Sequence, residues 1–148
     1  MLPIVLTKKQ SALIIGAGRA CAIKLKVLSK IECDITIVSN DFSYDLGNVE
    51  FTKITKDFYT LEEDFFNEFD LIYIGIELSD TSIVKKLAKS KLINVLSNPQ
   101  LSNFIHPCTR DDGDIQVSVH NLQERNPKKA CKFADTFVKY KKELCQQS

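Results

Sequence analysis

No run of this 148-residue chain stays apolar for the ~20 residues that a membrane-spanning helix needs. The N-terminal stretch Met1-Leu2-Pro3-Ile4-Val5-Leu6-Thr7-Lys8-Lys9 also lacks the charged start, long apolar core and cleavage site of a secretory signal. These absences predict a cytoplasmic protein with no membrane partner. Charge of one sign is missing as well. Twenty Lys and Arg against 19 Asp and Glu leave a formal net charge of +1, and so no overall field for nucleic acid. Five cysteines (Cys21, Cys33, Cys108, Cys131 and Cys145) form no C-x-x-C pair and are odd in number. That pattern argues against a disulfide framework or a zinc site and predicts reduced thiols. His106 and His120 are the only histidines, too few for a metal cluster, so no metal is expected. What remains, 44% hydrophobic and 26% charged residues, is the composition of an ordinary globular domain, long enough for a substantial core and a small appendage.

The most specific local signal is Leu13-Ile14-Ile15-Gly16-Ala17-Gly18-Arg19-Ala20-Cys21. An apolar strand breaks into a glycine turn and then opens a helix through Ala22, Ile23, Leu25, Val27 and Leu28. Gly16 permits the tight turn, and Gly18 lets the backbone approach a pyrophosphate with no Cβ in the way. The helix start then offers unpaired N–H groups and a partial positive charge to that anion. Cys21 fills the third small position of G-x-G-x-x-G/A, where the helix packs on the strand. A second, β-branched strand, Asp34-Ile35-Thr36-Ile37-Val38, follows at the interval of a βαβ unit. It ends in Ser39-Asn40-Asp41, where a dinucleotide site presents a group to the adenosine ribose. Asp41 stands slightly beyond the customary position, so that group is Asp41, Asn40 or a backbone amide. An acid there, with no Lys or Arg between residues 38 and 45, favours NAD over NADP.

The same alternation continues. A short strand is expected over 49–54. Leu61, Phe65, Phe66 and Phe69 have the spacing of an amphipathic helix laid on a sheet. Asp70-Leu71-Ile72-Tyr73-Ile74-Gly75-Ile76 reads as a central parallel strand, with Gly75 where a nucleotide crossing the strand ends needs close backbone approach. Ser79-Asp80-Thr81 caps a helix over 82–90, and Leu92-Ile93-Asn94-Val95-Leu96 is a further strand. The first hundred residues therefore read as an α/β, Rossmann-type NAD-binding domain with a parallel sheet. Beyond them lie a loop, an Asp111-Asp112-Gly113-Asp114 turn and a strand with one wet face over 115–120. A helix over 126–145 follows, with a core stripe of Ala130, Phe133, Ala134, Phe137, Val138 and Leu144. Its other face carries Lys128, Lys129, Lys132, Lys139, Lys141 and Lys142: a solvated surface, or an attraction for a polyanionic ligand.

Taken in order, Leu2-Pro3-Ile4, the Gly16-Ala17-Gly18 turn with Lys24, Asn94-Val95-Leu96-Ser97-Asn98-Pro99, Phe104-Ile105-His106-Pro107, Ile115-Gln116-Val117-Ser118-Val119 and Asn126-Pro127-Lys128-Lys129-Ala130 resemble the precorrin-2 dehydrogenase family, the siroheme synthase N-terminal module. The resemblance spans nearly the whole chain. It implies NAD-dependent oxidation of precorrin-2 to sirohydrochlorin by a cytoplasmic homodimer, with a tetrapyrrole as partner. It further implies an NAD-binding domain over 1–107 and a small dimerisation and substrate-cleft segment, strand plus helix, over 108–148. Arg19 and Ala20 are implied at the pyrophosphate turn, and Asn40 and Asp41 at the ribose. Ser97 stands where the family carries its catalytic Asp, Ile23 where it carries an Arg, and the family's Gly-Gly is replaced around Asn121-Leu122-Gln123-Glu124. With the shorter tail, these departures argue against iron insertion. They also keep a second reading open, a relative that binds dinucleotide or tetrapyrrole without turnover, as a sensor or partner subunit. A nucleotide-sensing domain of the kind attached to ion transporters ranks last, because nothing here resembles a transporter linkage.

Overall fold

In the first ten described positions the chain turns from polar to wholly apolar, and that change begins the sheet. The computed structural model describes residues 6–113, 115–121 and 126–145, so Leu2-Pro3-Ile4, Asp114 and the Leu122-Gln123-Glu124 part of the replaced Gly-Gly stretch lie outside the described residues. Strand β1 (Gln10–Ile15) is followed by helix α1 (Arg19–Leu28), β2 (Cys33–Ser39), β3 (Thr52–Thr55), β4 (Leu71–Ile74), helix α2 (Ser82–Leu87) and β5 (Leu92–Val95). All five strands are parallel, in the order β3-β2-β1-β4-β5. The strands with a four-residue fully buried run, β1 and β4, pair inside the sheet, while Thr-Lys-Ile-Thr of β3 is a polar edge. Ile15 lies level with Val38 on one side and with Ile74 on the other, so these strands end at one edge of the sheet.

Alternate residues supply two cores. Leu13, Ile15, Val38, Ile72, Ile74, Ile93 and Val95 point to the face covered by α2 and the aromatic segment around Phe66. Ala12, Ile14, Ile35, Ile37, Leu71 and Tyr73 point to the face covered by Cys21, Ala22, Leu25 and Leu28 of α1. The period-two split is the pleat itself. The expected amphipathic α-helix over 61–69 is instead a 3₁₀ segment, Glu63–Glu68, closed by Phe65 N–H on Glu62 O (3.1 Å). At about 2 Å per residue a 3₁₀ turn covers more sheet than an α-turn, and Leu61, Phe66 and Phe69 still reach the core. The start of α2 is secured by Asp80, which accepts from Ser82 N (2.9 Å) and Ser82 Oγ (2.6 Å).

The chain divides into two compact units, Met1–Phe104 and Ile105–Ser148. In the second, β6 (Cys108–Asp112) and β7 (Ile115–Val119) form an antiparallel hairpin through a turn at Gly113 (φ +69°), and α3 (Pro127–Cys145) packs on it. Asp111 and Asp112 thus belong to a strand, and one expected strand is two. Asn126 Oδ1 accepts from Lys129 N (3.0 Å), and Pro127 opens the helix where a missing N–H costs nothing. The expected core stripe is narrower than read. Ala130 and Ala134 are buried, but Phe133 and Phe137 are 60% and 44% exposed. A two-stranded hairpin covers only one narrow face of a helix.

Candidate functional site

The sheet order reverses between β1 and β4, and in an open parallel sheet the crevice beyond the strand ends at that switch is where ligands sit. Here the chain leaves β1 through Gly16, whose φ of +97° is open to glycine and strained for other residues. Its N–H donates to Val38 O (2.7 Å), and a Cβ on it would press at 3.0 Å on Ile76. Gly18 caps α1, and a Cβ placed on it would meet nothing within 4 Å: the turn faces open space. Arg19 and Ala20 begin the helix at the exposed surface, with first-turn N–H groups that have no intrahelical acceptor.

A cleft of about 260 Å³ runs from Gly16, Ala17 and Gly18 across Ser39, Asp41 and Tyr44 to Gly75 and Ile76. A neighbouring lobe of about 290 Å³ shares Gly16, Ser39, Asp41 and Ile76 and adds Asn40, Lys56, Asp57 and Tyr59. Five of the nine sequence-derived residues, Gly16, Gly18, Asn40, Asp41 and Gly75, therefore line one crevice. Cys21 does not. Its thiol is fully buried between α1 and the sheet, donates to Ile15 O (3.5 Å), and is pushed up to about 11 by burial. Gly75 explains the fit: a Cβ there would lie 2.2 Å from Cys21 Sγ. Lys24 is half-buried one turn into α1, where desolvation lowers its ammonium pKa.

Two carboxylates border the cleft beyond β2 and β3. Asp41 accepts from Ser43 Oγ (2.6 Å) and Ser43 N (2.9 Å), bonds that hold its pKa below the usual carboxylate value. Asp57 accepts from Asn40 Nδ2 (2.9 Å) and Tyr59 N (2.7 Å) and is lowered for the same reason. Tyr59 Oη in turn accepts from Ser79 N (2.8 Å) and bonds Ser79 Oγ (2.9 Å), which lowers the phenol. Lys56, Asp57 and Tyr59 were missed in the sequence. Their signal was position, since they follow directly on the C-terminal end of a parallel strand. Ser97, just past β5, is exposed; its hydroxyl donates to Ile76 O (2.9 Å), the backbone of a residue that lines both lobes. Among the described residues no three His, Cys, Asp or Glu side chains are grouped to hold a metal ion.

A sequence family described as "Putative NAD(P)-binding" matches residues 4–108. The precorrin-2 dehydrogenase of Bacillus subtilis (strain 168) is 27% identical over 146 residues, which cover 94% of this chain and 88% of that protein. The solved structure of SirC, a precorrin-2 dehydrogenase, matches 99% of this chain and 78% of its own with a TM-score of 0.70 and 17% identity, a likeness of fold. The chain therefore belongs to this NAD(P)-binding family and, over nearly its whole length, is similar to precorrin-2 dehydrogenase.

Proposed function

We propose that the protein oxidises precorrin-2 to sirohydrochlorin with NAD⁺, as a cytoplasmic homodimer. Similarity that runs through both units, 94% of the chain, to a precorrin-2 dehydrogenase carries this reading. The cofactor fits the residues present. Gly16 and Gly18 leave two of the three turn positions without a Cβ, and the N–H groups of Arg19, Ala20 and Cys21 meet the pyrophosphate at the start of α1. Asn40 and Asp41 take the ribose, and Gly75 allows close approach at the switch between β1 and β4. Asp41 and Asp57, both held ionised, oppose a 2′-phosphate that Lys56 alone would have to balance, and this favours NAD over NADP.

When bound, the nicotinamide accepts the hydride. The chain's own task is to hold the reacting carbon against it, exclude water and let a proton leave. Serine is no general base without a basic partner, and the Ser97 hydroxyl is committed to Ile76 O, so Ser97 positions and does not abstract. Residues 1–107 serve the cofactor, and residues 108–148 serve dimerisation and the substrate. The exposed Phe133, Phe137 and Tyr140 of α3 supply the dimer face, and the exposed lysines Lys128, Lys129 and Lys132 draw the substrate's carboxylates. Iron insertion is left out of this proposal: among the described residues no three His, Cys, Asp or Glu side chains are grouped to hold a metal ion.

The test is anaerobic incubation of the purified chain with precorrin-2 and either NAD⁺ or NADP⁺. Sirohydrochlorin absorbance should rise with NAD⁺ and lag with NADP⁺; no product with either overturns the enzymatic reading. The tied hydroxyl of Ser97 favours one second reading, a binding subunit without turnover. Ser97→Asp separates the two. A gain of orders of magnitude over a near-silent parent marks a binder, whereas a working enzyme gains less than about tenfold, since positioning supplies most of its rate.

A further inference from the structure

The C-terminal unit contains a polar cluster that dinucleotide binding does not use. Cys108 opens β6, and Cys131 lies in the second turn of α3, on the two elements that the Arg110–Asp135 ion pair joins. Arg110, two residues along β6, braces them. Its Nη1 donates to Cys108 Sγ at 3.3 Å. Its Nε donates to Asp135 Oδ1 at 2.6 Å. Asp135 is four residues after Cys131, so one face of α3 presents a thiol and a carboxylate to one strand. Both sulfurs belong to half-buried residues within reach of a small molecule, whereas Cys21 is sealed in the core.

We infer that Cys108 and Cys131 are a dithiol site for small-molecule disulfides, closing to an intramolecular bridge that fastens the β6–β7 hairpin to α3. Cys108 stands two residues before Arg110 on β6 and Cys131 one turn before Asp135 on α3, so the thiols face each other beside that pair, which keeps strand and helix in place while the sulfurs close to the roughly 2 Å of an S–S bond. Burial raises the Cys108 thiol pKa and the Arg110 guanidinium opposes that rise; the fraction of Cys108 present as thiolate attacks one sulfur of the small disulfide and releases one small thiol. Cys131 then attacks the Cys108 sulfur of the mixed disulfide and releases the second. Two protein thiols are oxidised, one small disulfide is reduced to two thiols, and both protein protons leave on them. The bridge closes a loop from 108 to 131 and so restricts the unfolded chain.

The experiment treats the whole chain with glutathione disulfide, alkylates the remaining thiols and maps peptides by mass. Expected are a Cys108–Cys131 linked peptide, loss of two hydrogens from a chain without adduct, and a thermal midpoint higher by on the order of 5 °C that dithiothreitol reverses. Cys131→Ser should halt with a single glutathione on Cys108. Free Cys108 and Cys131 after prolonged treatment, two stable glutathione adducts, or a bridge from Cys108 to another cysteine would each overturn the inference.

Discussion

Replacing Gly75 by Ala should destabilise the sheet unit for a purely steric reason. Gly75 is not among the glycines with positive φ, so alanine can adopt its backbone. The new Cβ, however, would stand 2.2 Å from Cys21 Sγ, 1.2 Å inside the 3.4 Å at which ordinary contact begins. Cys21 cannot easily withdraw. It lies on α1 with no exposure, and in a helix the χ1 well near +60° runs into the preceding turn. Overpacking of this kind costs about 1–3 kcal/mol. Cys21→Ala alone should cost about 1 kcal/mol for the lost burial of its sulfur. In the double variant the alanine methyl at 75 occupies the space the sulfur vacates. The double variant should therefore be more stable than Gly75→Ala, with a coupling of about 1–2 kcal/mol. Urea unfolding read by far-UV circular dichroism measures this. At about 2 kcal/mol per M, Gly75→Ala should lower the midpoint by roughly 0.5–1.5 M with the slope unchanged, and the second substitution should restore part of it. Midpoints that simply add, or a Gly75→Ala midpoint equal to the parent's, would refute the packing argument.

Asp70 joins the starts of β1 and β4, accepting from Ser11 N (2.8 Å) and Ser11 Oγ (2.9 Å), and these bonds hold its pKa below 3.8. Because the folded pKa is depressed, its stabilisation is full above the unfolded value and fades as pH falls through the folded one. Asp70→Asn should thus lower the urea midpoint at pH 7, and the gap should narrow only below about pH 4. If Phe133 and Phe137 are the dimer face, their joint replacement by Glu should turn a dimer into a folded monomer in sedimentation or light scattering, with circular dichroism preserved. A parent that is itself monomeric at micromolar concentration would contradict that assignment.

Much of this fold was legible because its signals are local. A four-residue apolar run bounded by polar residues suits a strand buried on both sides, and Gly16 and Gly18 between such a run and a helix predict the turn whatever lies elsewhere. The failures share a cause. Leu61, Phe65, Phe66 and Phe69 fit a helical period, yet six residues between β3 and β4 cross the sheet as a 3₁₀ turn. The polar strand β6, Cys108–Asp112, shows no alternation and is defined by its pairing with β7. Asp57 and Tyr59 carry no motif, and they reach the cleft only because β3 ends level with β2 at Ser39 and Thr55.

The order of residues by itself determined the parallel α/β class, the glycine turn and the run of motifs similar to precorrin-2 dehydrogenase, because strand burial and turn chemistry depend on neighbours along the chain. Only the tertiary structure decided that the Cys21 sulfur packs under Gly75, that Asp57 joins Asp41 at the cleft, that the Ser97 hydroxyl is spent on Ile76, and that Cys108 and Cys131 lie on elements joined by the Arg110–Asp135 pair. Each is a meeting of residues 16 to 54 positions apart. Strand register and helix packing set such meetings, and no local pattern encodes them.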